Sequence, residues 1–418
     1  MIYVNFTDSY GNTFIDNIRY EFLVQSNLIR VRNMTDINEL VNSDSVKYSF
    51  YFYHLYDDES VRRDLSPYVL EDGDITISNN NGLRRKLSIS LYDDNIFAVN
   101  PIGGIFWKGS KFKLEIGVRT ASAEYIYPAG VFILSDFEHS HQYTKNILKL
   151  NLVDKFGGID GTVGGKIVEG IYIARGSNIA EIIKSLLKSE KTQGVPYDCK
   201  MPNIPIFCYD ITTPYTITKS ADSNVTIGEL IKELAGIANL EAFYDEYGRL
   251  CFEEMQENIL VDSKPSLYKF SDNDNFYVSP NMKLNLQSVE NVVVVQGANI
   301  NGNIIDVKVE NTNPKSPTNV SLFEPTICKI VDENISDINS ATARANYELV
   351  KRSLMPISMT FMTIAIPVLN VNNIISITDS HCKFINTRFL ISSINIPIKS
   401  TAQMSLTISN LEEVAFNG

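Results

Sequence analysis

Hydrophobic and polar positions alternate with a period of two over most of this chain. From Gly73 to Asp93, "GDITISNNNGLRRKLSISLYD" carries an alternating segment on each side of Asn79-Asn80-Asn81-Gly82. Asn and Gly tolerate positive φ, so this stretch predicts a hairpin. In "WKGSKFKLEIGV", Phe112, Leu114, Ile116 and Val118 alternate with Lys111, Lys113, Glu115 and Gly117, the pattern of a half-buried strand. "FILSDFEHSHQYTKNILKLNLVD", Phe132 to Asp154, predicts two strands joined at a polar tip. Helical spacing is rarer. Between the early strands, "TDINELV" from Thr35 and "DESVRRDL" from Asp58 predict short helices. "SNIAEIIKSLLKSEK" predicts a helix with Ser177 as N-cap and Ile179, Ile182, Ile183, Leu186 and Leu187 as its apolar stripe. "VTIGELIKELAGIANL" opens with Thr226 and Glu229 in capping-box spacing. Ile227, Leu230, Ile231, Leu234 and Ile237 form its stripe. Asp245 to Gly248 then predicts a tight turn between two strands, and Asn301-Gly302 another hairpin. "DINSATARANYELVKRSL" predicts a helix ended near Pro356. Strands follow to Leu411.

These periods divide the chain in three. Residues 1–160 are mostly β with short helical insertions, up to the glycine cluster "KFGGIDGTVGGK". Residues 161–287 form a small α/β unit, with helices near 177–191 and 226–239 and a hairpin over 240–254. Residues 288–418 are again mostly β, with a helix near 337–354. A length of 418 residues fits about three domains.

The first and last parts share a pattern. Phe132-Ile133-Leu134-Ser135 aligns with Phe389-Leu390-Ile391-Ser392 at an offset of 257. Leu148, Leu150, Leu152 and Asp154 align with Met404, Leu406, Ile408 and Asn410 at an offset of 256. The one-residue difference falls in the tip of the ribbon, where length is free to vary. Upstream, Gly109, Phe112 and Leu114 align with Asn372, Ile375 and Ile377. Each copy is a strand followed by a long antiparallel ribbon; the alternative is chance likeness between two ordinary hairpins. Two like β-modules in one chain imply pseudo-symmetry. Three such chains in a ring would present six similar modules, which is how a trimer can match a hexameric partner.

Composition narrows the function. With 37 Lys and Arg against 49 Asp and Glu, the net charge is −12, which disfavours tight binding to phosphate backbones. The five cysteines, Cys199, Cys208, Cys251, Cys328 and Cys382, are odd in number, widely spaced and free of CxxC pairs. They predict no disulfide framework and folding in a reducing cytosol. The start, "MIYVNFTDSYGNTF", has no signal-peptide pattern. No apolar run reaches the ~18 residues of a membrane span.

The order of these segments resembles the central hub family of phage tails: the tail-associated hub of siphophages and the baseplate hub of contractile tails and phage-tail-like bacteriocins. "GDITISNNNGLRRKLSISLYD", with Arg84-Arg85, is similar to the family's early hairpin. "GIFWKGSKFKLEIGV" and "YPAGVFILSDFEHSHQYTKNILKLNLVDKFGGIDG" resemble its first barrel. "TIGELIKELAGIANLEAFYDEYGRLCFEE" resembles its helix and D-x-x-G hairpin. "ARANYELVKRSL", "VLNVNNIISITD" and "RFLISSINIPI" resemble its second barrel. The patterns are diffuse, but their order holds over nearly the whole chain.

The resemblance implies a mainly β fold with an α+β insert and two tail-tube-like β-barrels per chain. It implies a homotrimeric ring of pseudo-sixfold symmetry, set between the tail tube or distal tail ring and a separate spike or tip protein. It implies a place at the tail tip or baseplate of the virion, assembled in the bacterial cytoplasm, with DNA passing through without specific binding. An acidic surface suits such a wall, because like charges repel. Longer family members continue into peptidoglycan-cleaving or fibre-like regions. Here only seven residues follow Leu411, so that lytic activity is not expected to carry over. The ribbons that would form the ring carry Phe112, Leu114, Phe132, Leu134, Leu148, Leu150, Leu152, Ile375, Ile377, Phe389, Ile391, Met404, Leu406 and Ile408.

Catalytic and metal chemistry is thin. His139 and His141 share a face if the strand continues through them, and two imidazoles begin a Zn²⁺ site that normally needs three or four ligands. Glu138 points the other way. A solvated or interface tip is the plainer reading, and at an interface the pair would respond to pH. Asp272 and Asp274 in "SDNDNF" lack the Gly and Glu of a calcium loop and predict a turn. Asp57, Asp58 and Glu59 read as a helix N-terminus favoured by the macrodipole. "EGIYIARGS" and "GGIDGTVGGK" lack the Lys-Ser/Thr ending of a P-loop. His54 and His381 stand apart from any evident nucleophile. No enzyme activity and no cofactor are expected. The rival readings are a carbohydrate-binding host-recognition protein, for which Trp107 is the lone tryptophan, and a cell-wall hydrolase.

Overall fold

The computed structural model describes residues 5–7, 13–15, 28–29, 46–93, 105–120, 124–142, 145–187, 200–221, 224–238, 240–254, 265–284, 286–300, 303–314, 316–331, 335, 338–353 and 357–410. Three short strands come first: β1 (Asn5–Thr7), β2 (Thr13–Ile15) and β3 (Leu28–Ile29). Next are β4 (Lys47–Leu55), β5 (Val61–Asp64), β6 (Val69–Ser78), β7 (Arg85–Tyr92), β8 (Lys111–Arg119), β9 (Glu124–Gln142) and β10 (Lys145–Asp154). The middle holds β11 (Ile171–Ile173), helix α1 (Ile179–Leu187), β12 (Ile217–Lys219), helix α2 (Ile227–Ile237), β13 (Leu240–Tyr244) and β14 (Leu250–Glu254). The last stretch has β15 (Tyr268–Ser271), β16 (Val278–Leu284), β17 (Val292–Ile300), β18 (Asn303–Glu310), β19 (Ile327–Val331) and helix α3 (Ile338–Ser353). It ends with β20 (Ile357–Ile364), β21 (Ile374–Asp379), β22 (Phe384–Pro397) and β23 (Gln403–Asn410).

The fold is mainly β. Strands from both ends of the chain enter one fourteen-stranded sheet, whose path runs β16-β20-β23-β22-β6-β7-β10-β9-β8-β4-β5. β15 and β21 branch from it through β22, and β3 through β9. β15 and β16 thus join the large sheet ahead of Ser288. One apolar core lies on a single face of this sheet and runs through both ends of the chain, from Ile75, Ile89 and Phe132 to Phe361, Phe389 and Leu406. The alternation of the sequence explains it: every second side chain of a strand points to the same face.

A second core gathers α1, α2 and the β13–β14 hairpin around Phe156, Ile183, Leu230, Leu234 and Leu250. A third is small: α3 lays Ala341 and Ala345 on Val293 and Val295 of the β18-β17-β19 sheet.

Local sequence signals meet different outcomes. Thr226 and Glu229 make both bonds of the capping box at the start of α2. The cap of α1 is displaced by one residue: Asn178 Oδ1 accepts from the Glu181 amide at 3.1 Å, while Ser177 Oγ donates back to Ala174 O. Asp58 does not begin a helix. Asp57 and Asp58 sit in a turn, and Val61–Asp64 is a strand. Asp58 Oδ1 accepts from both the amide and the hydroxyl of Ser60, a local bond that competes with helix formation. In β8, Lys111 and Glu115 are buried as well as the apolar set, because charged partners satisfy them. The helix expected at Thr35 lies outside the described residues, as does Cys199. The other four cysteines are free thiols. No described helix is long and apolar enough to cross a membrane.

Candidate functional site

The two ends of the chain repeat one strand order. The first reads β6-β7-β10-β9-β8, and the second β16-β20-β23-β22-β21. The ribbons match in detail. β9 and β10 break register at Ser135, between the pairs Leu152↔Leu134 and Asn151↔Asp136. β22 and β23 break it at Ser392, between Ile408↔Ile391 and Thr407↔Ser393. These serines are the aligned residues of the sequence repeat. β6 and β16 are also irregular at matching places, before Gly73↔Ile89 and before Asn281↔Thr360. The repeats part company at the flank, where β8 has antiparallel β4 beside it and β21 has parallel β15.

The fourteen ribbon residues expected to form a ring are all buried in the main core. Their side chains face this chain's own interior. The opposite face is built by the alternate positions; it is polar across β20, β23, β22 and β6 and carries apolar clusters at Ile133 and Val153 and at Ile374 and Leu390. One row crosses four strands as Thr360, Thr407, Ser393 and Ser78. A second runs through Met362, Ser405, Asn395, Thr76 and Lys86. Side chains lock the rows together. Thr360 and Thr407 hydroxyls lie 3.1 Å apart. Asn395 Nδ2 donates to Asp74 Oδ2 at 2.7 Å and to Thr76 Oγ1 at 3.1 Å. Asn151 Nδ2 donates to Asp136 Oδ1 at 2.6 Å. Asp74 and Asp136 share this face with Lys86 and Lys149, so its charges have both signs. Its strands present mostly hydroxyls and amides, and not the acidic wall that the net charge evoked.

The Asn395–Asp74–Thr76 cluster marks the seam between the repeats. There β22 pairs antiparallel with β6, from Ser393↔Ser78 to Pro397↔Asp74. Ile394 and Ile77 meet on the core side of the seam.

Arg84 and Arg85 tie the second core to this sheet. The Asp154 carboxylate, fully buried, accepts the backbone amides of both arginines at 2.8 Å and that of Phe156 at 2.9 Å. Arg85 Nη1 donates to Tyr244 O at 2.6 Å, and its Nη2 reaches Glu246 at 3.3 Å and Asn370 at 3.2 Å. Arg84 bonds Glu241 at 2.8 Å and lies over the Phe243 ring at 3.4 Å. A third clamp is Glu59, which binds Lys155 at 2.7 Å, Lys200 at 2.9 Å and Lys111 at 3.4 Å. Burial alone would raise its carboxyl, but Lys155 and Lys200 hold it at about 2. The sequence flagged the arginine pair by position. Glu59 had no signal, because its partners lie far along the chain.

β9 continues through the tip histidines, so His139 and His141 share a face. His139 Nε2 lies 3.2 Å from Asp93 Oδ2. Among the described residues no group of three or more His, Cys, Asp or Glu is placed to hold a metal ion. Asp272 and Asp274 lie in a turn: Asp274 accepts from the Ser271 amide, and Asp272 from the Ser380 amide. His54 is buried against Phe112, away from His381, which lies beside Asp379. Burial pushes the Cys251 thiol up to about 12, leaving it protonated and a poor nucleophile. Trp107 is exposed in the turn before β8.

No protein-family model matches the sequence, and no curated protein matches it. Solved structures do. A 43 kDa tail protein of prophage MuSo2 from Shewanella oneidensis is 12% identical with a TM-score of 0.59, over 87% of this chain and 98% of that one. A tail protein from Neisseria meningitidis is 11% identical with a TM-score of 0.55, over 87% and 96%. A chain of the Francisella PdpA-VgrG complex is 10% identical with a TM-score of 0.53, over 90% of this chain and 54% of that one. Built from two repeats that share one sheet, the chain has the fold of these phage tail proteins and of the PdpA-VgrG chain.

Proposed function

We propose that this protein is the structural hub of a tail tip or baseplate, in a phage or a phage-tail-like particle. Three copies form a ring that adapts the hexameric tail tube or distal tail ring to a central spike. The polar sheet face lines part of the DNA channel. The observation that carries this reading is the repeat: two modules of one strand order, joined edge to edge within one chain. A threefold ring of such chains offers six similar surfaces, which is what a sixfold partner needs.

The role is mechanical. Eight strands per chain, β16-β20-β23-β22-β6-β7-β10-β9, are contiguous. Three chains would bring twenty-four strands around one axis. Barrels of 16–18 strands already leave an aqueous channel, and this one is wider. At ~4.8 Å per strand its girth is at least about 115 Å. A lining of hydroxyls and amides with balanced charge neither traps nor strongly repels a polyanion. The second core, clamped by Arg84, Arg85 and Glu59, would hold the next component of the tail.

The test is an image of the particle at the level of this protein. Six lobes from three chains are expected; six chains around the axis, or lobes of two unrelated shapes, would overturn the reading. In solution, light scattering at high concentration should approach 141 kDa, three times the chain mass of 47.0 kDa.

A further inference from the structure

β6 and β16 hold the same place in the two repeats, yet among the described strands β6 is paired on its outer edge and β16 is not. β22 and β9 also correspond. Beyond its bulge, β22 pairs with β23 on one side and β6 on the other. Beyond its bulge, β9 pairs with β10 alone among the described strands, since β8 reaches only to Ile133. Among the described strands, two edges are therefore open. Each is the counterpart of an edge already joined at the internal seam.

We propose that β9 of one copy pairs antiparallel with β16 of the next, repeating the β22–β6 seam between chains. The number of copies rests on the ring reading above; the contact itself does not. The register follows from the seam. Residue 394 of β22 corresponds to Phe137, and residue 77 of β6 to Leu284, through their places in the two ladders. Phe137 then faces Leu284 where Ile394 faces Ile77. Glu138 faces Lys283 where Asn395 faces Thr76, and His139 faces Met282 where Ile396 faces Ile75.

Four features fit this partner. Glu138 and Lys283 are both exposed and opposite in charge, and opposed charges across an antiparallel pair are favourable. Leu284 is 40% exposed on the core side of its strand, whereas Ile77 at the matching place is 7% exposed under β22. Pro280 sits at the position of Gly73, whose carbonyl accepts from the Ile398 amide at 3.0 Å. Proline keeps that acceptor, and the matching donor is the His141 amide. The seam also closes with the Asn79 amide donating to Ser392 O at 3.0 Å. Its counterpart is the Leu286 amide donating to Ser135 O. A head-to-tail contact of this kind generates a ring when the rotation closes.

The experiment is disulfide trapping in the full chain at high concentration. Directly opposed residues of an antiparallel pair lie within disulfide reach. E138C/K283C should cross-link under mild oxidation into two-chain and three-chain species, the ladder stopping at three. E138C with L284C places the thiols on opposite faces and should cross-link at least tenfold less. In uncross-linked protein, E138K should weaken association and E138K/K283E should restore it. Circular dichroism on each variant confirms folding, since both positions are exposed. Absence of the E138C/K283C cross-link overturns the edge pairing, whatever mass is found. A cross-link whose ladder stops at another number upholds the pairing and overturns the threefold ring.

Discussion

At the scale of single residues, buried ion pairs join parts of the fold that lie far apart in sequence. Arg85 is 1% exposed and reaches Tyr244, Glu246 and Asn370, which belong to the second core and to the second repeat. Arg85→Ala removes the guanidinium and strands these acceptors, so a loss of about 3–5 kcal/mol is expected in urea unfolding. A loss below 1 kcal/mol would show that the pair is not a clamp. Two groups lower stability in acid, while Asp154, which burial raises to about 6, works against them. His54 is buried, and burial followed by the Arg62 and Arg63 charges depresses it to about 4. Its neutral form is favoured in the fold, so that share of stability is present above 6.5 and is lost as pH falls from 6.5 towards 4. Glu59, held at about 2 against its ordinary 4.5, adds stability above 4.5 that is lost as pH falls towards 2. Thermal melts from pH 7 to pH 3 should fall in two overlapping steps. His54→Phe should flatten the upper one, and Glu59→Gln the lower one with lower stability at pH 7. Gly73 is a steric requirement: at φ +117° an added Cβ would lie 2.1 Å from Ser88 O. Gly73→Ala should therefore lower the melting temperature and loosen the seam that Gly73 O helps to close.

At the scale of elements, local signals were legible where a short stretch of chain decides the outcome. The Thr226–Glu229 box, the Asp245–Gly248 turn and the alternation of β6, β7, β10 and β23 all belong to this kind. Thr226→Ala should cost about 1 kcal/mol and should fray α2 first, seen as faster amide exchange at Glu229, whose amide donates to Thr226 Oγ1. Preserved protection there would mean that tertiary packing, and not the cap, fixes the helix start. Signals failed where neighbours compete. "DESVRRDL" has helix-forming composition, but the Asp58–Ser60 bonds and pairing with β4 draw it into a turn and a strand. Lys111 and Glu115 looked solvent-facing, yet the distant Glu59 carboxylate and the neighbouring Lys113 ammonium let them be buried.

At the scale of the whole molecule, the arrangement of edges sets the behaviour. Among the described strands the two repeats share one seam and both counterpart edges are open, the feature on which the proposed association rests. Association should therefore rise steeply with concentration. Blocking one edge should leave single chains, since every contact needs one β9 edge and one β16 edge: Met282→Pro would interrupt the β16 edge while β16 remains on β20. A variant that still reaches the 141 kDa expected for three 47.0 kDa chains would place the contact elsewhere. The solved tail proteins supply the fold but, near 10% identity, not the contacts; those rest on the residues of this chain.

The sequence by itself determined most of the strands, the cap of α2 and the likeness of Phe132–Asp154 to Phe389–Asn410, because alternation, capping and turn chemistry act over a few residues. It could even point to Ser135 and Ser392 as partners in the repeat. Only the tertiary structure decided that both are bulges, that β22 lies against β6, and that Arg85 and Glu59 are clamps. Those outcomes depend on groups that lie apart in the sequence and whose meeting leaves no local period. The same holds for the polar face: each Thr, Ser or Asn is an unremarkable alternate residue until the ladders set Thr360, Thr407, Ser393 and Ser78 in one row.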